Sequence, residues 1–311
     1  MTPMLRVVRG LRQLAFDCWH SRTAYLFIAP FMISFVIFII IPVCMAMGLS
    51  FTDFDGFSFP SFVGFQNYID LITQDHIFQK YALPNTFKFA LLVGPGGYLL
   101  SFFFAWLIYQ LPKKWRDVYT LAFYAPSLAG GVALTVVWAA AFSGDRVGYL
   151  NNFLLNLDLI NQPVIWLQDP RYLLNIMIIV TLWTSFSIGF LAMMGGLATV
   201  NPELYEAGRI DGIRNRLQEI YYITIPSMKP QMIFSAIMAI VTTLRSGSIS
   251  TALSGMPITP QYSGHLIINH VDDYAFIRFE FGYASAVSVV LLVMSYLMMQ
   301  FFYKILRNKE G

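Results

Sequence analysis

An all-α, polytopic membrane bundle is the fold that the sequence predicts, and three observations predict it. Hydrophobic residues fill 57% of the 311 positions and charged residues only 12%, about half the charged share of an ordinary soluble domain. The shortage comes in blocks. Residues 23–52, 89–112, 118–144, 172–202 and 281–303 carry no Asp, Glu, Lys or Arg, and each run exceeds the roughly 20 residues a helix needs to cross about 30 Å of hydrocarbon. The basic residues are also unevenly shared. With the N-terminus inside and six helices following, fourteen of the twenty fall on inner segments, which places both termini in the cytoplasm by the positive-inside rule.

The expected spans lie at 24–49, 87–110, 118–142, 172–198, 230–250 and 282–304. The first is too long for the apolar core of a cleaved leader, which is about 7–15 residues. Residues 1–23, with Arg6, Arg9 and Arg12, read as a cytoplasmic anchor rather than a nucleic-acid contact. Residues 24–306 then form the transmembrane domain and 307–311 a cytoplasmic tail. Pro30 and Pro42 fall in the first span, Gly94-Pro95-Gly96-Gly97 in the second, and Pro126 with Gly130-Gly131 in the third. Such residues bend helices or let neighbours approach, though both types are common in membrane helices generally. The fifth span is the short one: fifteen uncharged residues separate Lys229 from Arg245, about 22 Å of helix. Arg245 therefore either reaches an aqueous path or anchors at the outer interface.

Two outer loops, "FTDFDGFSFPSFVGFQNYIDL" and "VGYLNNFLLNLDLINQPVIWLQDP", either lie on the membrane, receive a partner, or pack on their own helices. Cys18 and Cys44 sit too far apart in the topology to pair. His20, His76, His265 and His270 have no metal-ligand spacing and are expected to be solvated or interfacial, as is a turn at Asp272-Asp273. No metal site and no catalytic cluster is expected. No G-x-x-x-x-G-K-[ST] loop occurs, and the glycines at 94–97 lie in an apolar span without Lys. The chain is expected to bind no nucleotide itself.

The one long inner connection is 201–230. Asn201-Pro202-Glu203 is a helix start, with a capping Asn, a first-turn Pro and an acid at the positive dipole end. Leu204, Ala207, Gly208 and Asp211 share one side of that helix, Ala207-Gly208 leaves the side nearly bare, and Gly212 offers a stop. A second amphipathic piece follows with Leu217, Ile220, Tyr221 and Ile223, ended by Pro226 and Pro230.

Here "EAGRIDG" followed by "YYITIPSMKP" resembles the EAA motif of inner-membrane permeases of binding-protein-dependent ABC importers. Glu206, Ala207, Gly208, Asp211 and Gly212 match its spacing, with Gly208 in place of the second Ala, and the interval to Pro226 is one residue longer than usual. "FGYASA" at 281–286 and "GMP" at 255–257 are similar to the carbohydrate branch of that family. The resemblance implies that 201–230 is a coupling loop seated in a cleft of a cytoplasmic ATPase. Glu206 and Asp211 would pair with its donors, while Ala207, Gly208 and Gly212 permit close contact. It also implies a second related permease, two ATPase domains that hold ATP and Mg, an extracytoplasmic solute-binding protein, a sugar or oligosaccharide substrate, and a bacterial cytoplasmic membrane.

A sugar path needs hydrogen-bonding groups and aromatic faces. The candidates are Thr135 and Trp138 in the third span and Trp183, Thr184 and Ser187 in the fourth. Thr242 and Arg245 in the fifth, beside Ser246, and Ser285 and Ser288 in the last complete the set. Against each stands a plainer role, packing for Trp and backbone bonding for Ser or Thr. The rival reading is an ion-coupled secondary transporter, which would want carboxylates buried within spans; the acids here fall in loops or at interfaces.

Overall fold

The computed structural model describes residues 22–129 and 131–307. The N-terminal stretch with Arg6, Arg9, Arg12, Cys18 and His20, the Gly130 half of the Gly130-Gly131 pair, and residues 308–311 lie outside them. The helices are α1 (Arg22–Phe35), α2 (Ile41–Leu49), α3 (Gln66–Thr73), α4 (Leu83–Tyr109), α5 (Lys113–Leu128), α6 (Gly131–Ala141), α7 (Tyr149–Asn156), α8 (Leu173–Trp183), α9 (Ile188–Thr199), α10 (Pro202–Ile210), α11 (Arg216–Glu219), α12 (Lys229–Leu244), α13 (Ser248–Ser254), α14 (Ile267–Asp272) and α15 (Phe281–Arg307). Among the described residues there is no strand, only one antiparallel bridge between Thr52 and Phe62.

Four helical stretches are long and apolar enough to cross a membrane: Tyr25–Leu49, Phe78–Tyr109, Leu173–Thr199 and Phe281–Lys304. Arg216–Ser227 with Lys229–Leu244 makes a fifth if that pair, bent by 85°, is taken as one. The expected third span is instead two shorter helices, α5 and α6. The expected fifth ends at Leu244, and a turn at 245–247 precedes α13. The fourth is broken at 184–187 into α8 and α9. Hydroxyls at the break turn back on the preceding helix, Thr184 to the Thr181 carbonyl at 3.0 Å and Ser185 to Leu182 at 2.7 Å. Such local bonds offer the backbone an alternative to the helical ladder.

Prolines explain three of the four π turns among the described residues; the fourth, Asp273–Ile277, is followed by none. Wide π turns occupy Val36–Ile40, Phe78–Ala82 and Ile220–Thr224, and in each case a proline follows two residues later: Pro42, Pro84 and Pro226. A proline lacks the N–H donor and its ring crowds the carbonyl four residues back. Widening the preceding turn, with Ile41, Leu83 and Ile225 each donating five residues back, relieves that clash and lets the helix continue.

The core is where α4, α9 and α12 pack on one another. Ala105, Ile108, Phe190, Met193, Leu197, Met228 and Met232 form one buried cluster there, and a second, of Phe89, Val93, Leu173, Met177, Val180 and Leu253, joins α4 to α8 and α13. The first span meets the rest chiefly where α2 lies on α15 and is otherwise exposed. The segment after α2 docks on the start of α15: the Gly282 N–H donates to the Phe54 carbonyl at 2.8 Å, and a Cβ on Gly282 would collide with the Thr52 carbonyl. Gly282→Ala should therefore lower the thermal midpoint of the purified protein by several degrees, a cost of roughly 1–3 kcal/mol. Gly195→Ala, with nothing within 4 Å of the new Cβ, should leave it unchanged or raise it.

Candidate functional site

Spans two to five enclose a cavity of about 450 Å³. Val93, Gly97, Tyr98 and Ser101 of α4 form one wall, and Ser235, Ala239, Thr242 and Thr243 of α12 another. The break in the fourth span supplies Thr181, Thr184, Ser185, Ser187 and Gly189, and the third span supplies Pro126, Ser127 and Thr135. Twelve of its 21 lining residues are Ser or Thr, and none is charged. Of the residues singled out in sequence, Thr135, Thr184, Ser187 and Thr242 stand on this wall; Trp138, Trp183, Arg245, Ser285 and Ser288 do not. Trp138 and Trp183 meet edge to face at 5.3 Å, and Trp138 stacks on Phe142 at 5.7 Å. Arg245 is the exposed residue that follows α12. On α15, the Ser288 hydroxyl bonds the Ala284 carbonyl. Sequence reasoning missed Ser101, Ser127, Thr181, Ser185, Ser235, Thr243 and Ser248. The run of hydroxyls at 181, 184, 185 and 187 was the signal that could have found Thr181 and Ser185.

At one end of the bundle α9 runs into α10. The Asn201 side chain accepts from the Glu203 N–H at 3.0 Å, so the cap expected from Asn-Pro-Glu forms. Glu206, Ala207, Asp211 and Gly212 are exposed on this helix and its stop, and Gly212 has φ +95, a conformation only glycine takes readily. The bare side differs from expectation at Gly208. It is buried, and a Cβ there would come within 2.7 Å of Ile223 and 3.0 Å of Ile213. Its lack of a side chain serves packing inside the chain, because the π turn at Ile220–Thr224 folds back over α10. Glu219 holds that fold. It is buried, bonds Arg216 at 2.7 Å and lies 3.5 Å from Arg209. The Tyr205 and Thr224 hydroxyls pair at 2.9 Å. Pro226 is exposed, next to the 85° bend.

The opposite end overturns two expectations. His265 and His270 are not solvated but 2% and 0% exposed. Asp272-Asp273 is helical rather than a turn, and Asp273 is buried against Arg278 at 2.8 Å. Both histidines belong to a cluster around Asp75. Its Oδ2 accepts from His270 Nε2 at 2.7 Å, Tyr283 at 2.7 Å and Tyr274 at 3.2 Å, and its Oδ1 accepts from the Phe78 N–H at 2.8 Å. His270 Nδ1 then meets His265 Nε2 at 3.2 Å, while His265 Nδ1 has no partner. Burial raises the Asp75 pKa, but the bonds from His270, Phe78 and Tyr283 outweigh it and hold the carboxyl below its usual range. Burial, with the His270 charge behind it, pulls His265 down to about 4. The cluster ties the segment leading into α4 to α14 and the π turn after it, and to α15. In the second outer loop Asn151 does similar work. It is fully buried and donates to the Ser143, Asp145 and Val164 carbonyls while accepting from the Trp166 indole at 2.8 Å.

Among the described residues no three His, Cys, Asp or Glu could share a metal. A helical membrane bundle with a hydroxyl-lined internal cavity and a rigid loop at one end is the architecture of a transport subunit. No family model matches the sequence. The chain is 31% identical over 270 residues to the probable ABC transporter permease protein YesP of Bacillus subtilis (strain 168), across 86% of this chain and 85% of that one. It is 27% identical over 283 residues to the arabinooligosaccharides transport system permease protein AraP of the same organism, across 89% and 87%. In fold it is similar to a chain of a bacterial ABC transporter involved in the import of the acidic polysaccharide alginate, with a TM-score of 0.79, 22% identity, and 96% and 100% covered. The chain belongs to the ABC transporter permease proteins, and is an inner-membrane transport component rather than an enzyme.

The buried His265 has a testable pH signature. Its lowered pKa means that its contribution to stability is complete above about pH 6.5 and is lost as the pH falls from 6.5 towards 4, at up to about 1.4 kcal/mol per pH unit. The thermal midpoint of the detergent-purified protein should drop between pH 7 and 5, and His265→Gln should flatten that slope.

Proposed function

We propose that this chain is one permease half of an ATP-driven importer for a sugar or oligosaccharide. The observation that carries the reading is the uncharged, Ser/Thr-rich cavity walled by α4, α12 and the break before α9, with α9 and α12 also flanking the capped loop at 201–228. Polyhydroxylated substrates need many weak hydrogen-bonding positions, and such a wall supplies them. The saccharide named for AraP supports the substrate class.

In this reading residues 24–306 form the transmembrane domain, and 1–23 and 307–311 are cytoplasmic. Residues 201–230 couple to the ATPase through Glu206, Ala207, Asp211 and Gly212, with Gly208 keeping α10 pressed to its own chain and Pro226 at the bend. A second permease completes the pathway, two ATPase domains hold ATP and Mg, and an extracytoplasmic binding protein delivers the sugar. ATPase closure pushes α10. Because α10 continues from α9 and is braced against the segment leading into α12, the push moves α9 and the α12 wall as rigid bodies and exposes the cavity to alternate sides. An ion-coupled carrier is disfavoured: among the described residues the buried acids Asp75, Glu219 and Asp273 lie outside the apolar middles of the spans.

The test is reconstitution of the four-component importer with Glu206→Lys or Asp211→Lys. Both exposed variants should assemble in the membrane yet lose at least tenfold in sugar-stimulated ATP hydrolysis. Gly208→Leu should instead lower the thermal midpoint of the chain itself. Full stimulation in both charge reversals would remove the coupling role.

A further inference from the structure

Relatives of this chain differ in the charge of the saccharide they are named for: an arabinooligosaccharide system on one side, an acidic polysaccharide importer on the other. Family membership leaves that charge open, and the chemistry of the cavity addresses it. Resting on the saccharide-import reading above, we infer that this wall selects a neutral, hydroxyl-bearing glycan and discriminates against uronates and other anionic sugars.

No cation lines the cavity. Arg245, the nearest candidate along the chain to Thr242 and Ser246, is exposed and off the wall. Six of the twelve Ser and Thr hydroxyls cannot replace it, because their protons are already engaged; the buried Tyr98 hydroxyl on the same wall has no partner and can donate a bond, but it brings no charge. Thr181 donates to Met177, Ser185 to Leu182, Thr242 to Met238, Thr243 to Ala239 and Ser246 to Thr242, at 2.7–2.8 Å, and Thr184 to Thr181 at 3.0 Å. A hydroxyl has one proton and two lone pairs, so each of these oxygens turns spare lone pairs towards the cavity. Sugar hydroxyls can donate to them. A carboxylate can only accept: at these six oxygens it would face lone pairs, and the donors left on the wall offer it no compensating charge.

The broken fourth span does not rescue an anion either. The C-terminal end of α8 at Trp183 and the N-terminal end of α9 at Ile188 are separated by four residues. Their half-charges have opposite signs and largely cancel at the break.

The experiment uses the reconstituted importer with its binding protein, each sugar being supplied at a concentration that saturates that protein. The probes are neutral arabino- and galacto-oligosaccharides and oligogalacturonides of equal length, read as stimulated ATP hydrolysis and as uptake. The neutral probe should exceed the uronate at least tenfold. Ser246→Lys, which places a cation on the wall, should shift the ratio at least tenfold towards the uronate. Equal or greater response to the uronate by the wild type overturns the selectivity and leaves the saccharide reading standing. An unchanged ratio in an assembled Ser246→Lys importer likewise overturns it. Failure of every saccharide to stimulate overturns the saccharide reading, and the selectivity with it.

Discussion

The hydrocarbon interior offers no water, so each backbone N–H and C=O inside a span must find its partner within the protein. Most of this architecture follows from that constraint. Uncharged runs become helices because only helices satisfy themselves along one segment. Pro42, Pro84 and Pro226 would each leave a clash and a missing donor, and the preceding turn widens so that the helix runs on. At 184–187 the helix does stop, and there Thr184 and Ser185 bond the preceding carbonyls. The break is tolerable because it faces a polar cavity instead of lipid.

Two helices that border the cavity, α9 and α12, also flank the loop at 201–228. Val200 is all that separates α9 from Asn201, the cap of α10. Beyond α10, Glu219 bridges two arginines and the Tyr205–Thr224 pair closes the fold. In the proposed coupling role, a loop braced in this way would pass displacement at its surface to α9 and α12 with little lost in bending. That rigidity is achieved with buried polar contacts at the membrane face, where a fully apolar joint would have no fixed register.

Sequence reading succeeded where the governing property is local. Absence of charge over twenty residues is visible in one dimension, and so is the Asn201 cap, whose partner Glu203 is two residues away. It failed where the partner is remote. Asp75 and His270 are 195 residues apart in sequence, and nothing near either one announces the other. Gly208 looks bare until Ile213 and Ile223 fold back over it. The break at 184–187 contains neither Gly nor Pro, the usual punctuation, so four hydroxyl-rich residues passed for continuous helix. Trp138 and Trp183 drew notice for their size, yet they pack on one another, while smaller hydroxyl residues make the wall.

The Asp75 cluster also sets limits on how this chain can be recombined with its relatives. One carboxylate takes donors from the segment before the second span, from the fifth–sixth connection and from the last span. A chimera that exchanged only α15 would replace Tyr283 and keep the other three donors. One that exchanged only 260–280 would strand Asp75 beside whatever replaced His270. Crossovers that keep residues 75–78, 265–274 and 283 from a single parent preserve the cluster whole. Natural shuffling among such subunits should respect the same boundaries, with these positions inherited as a block although they are scattered along the chain.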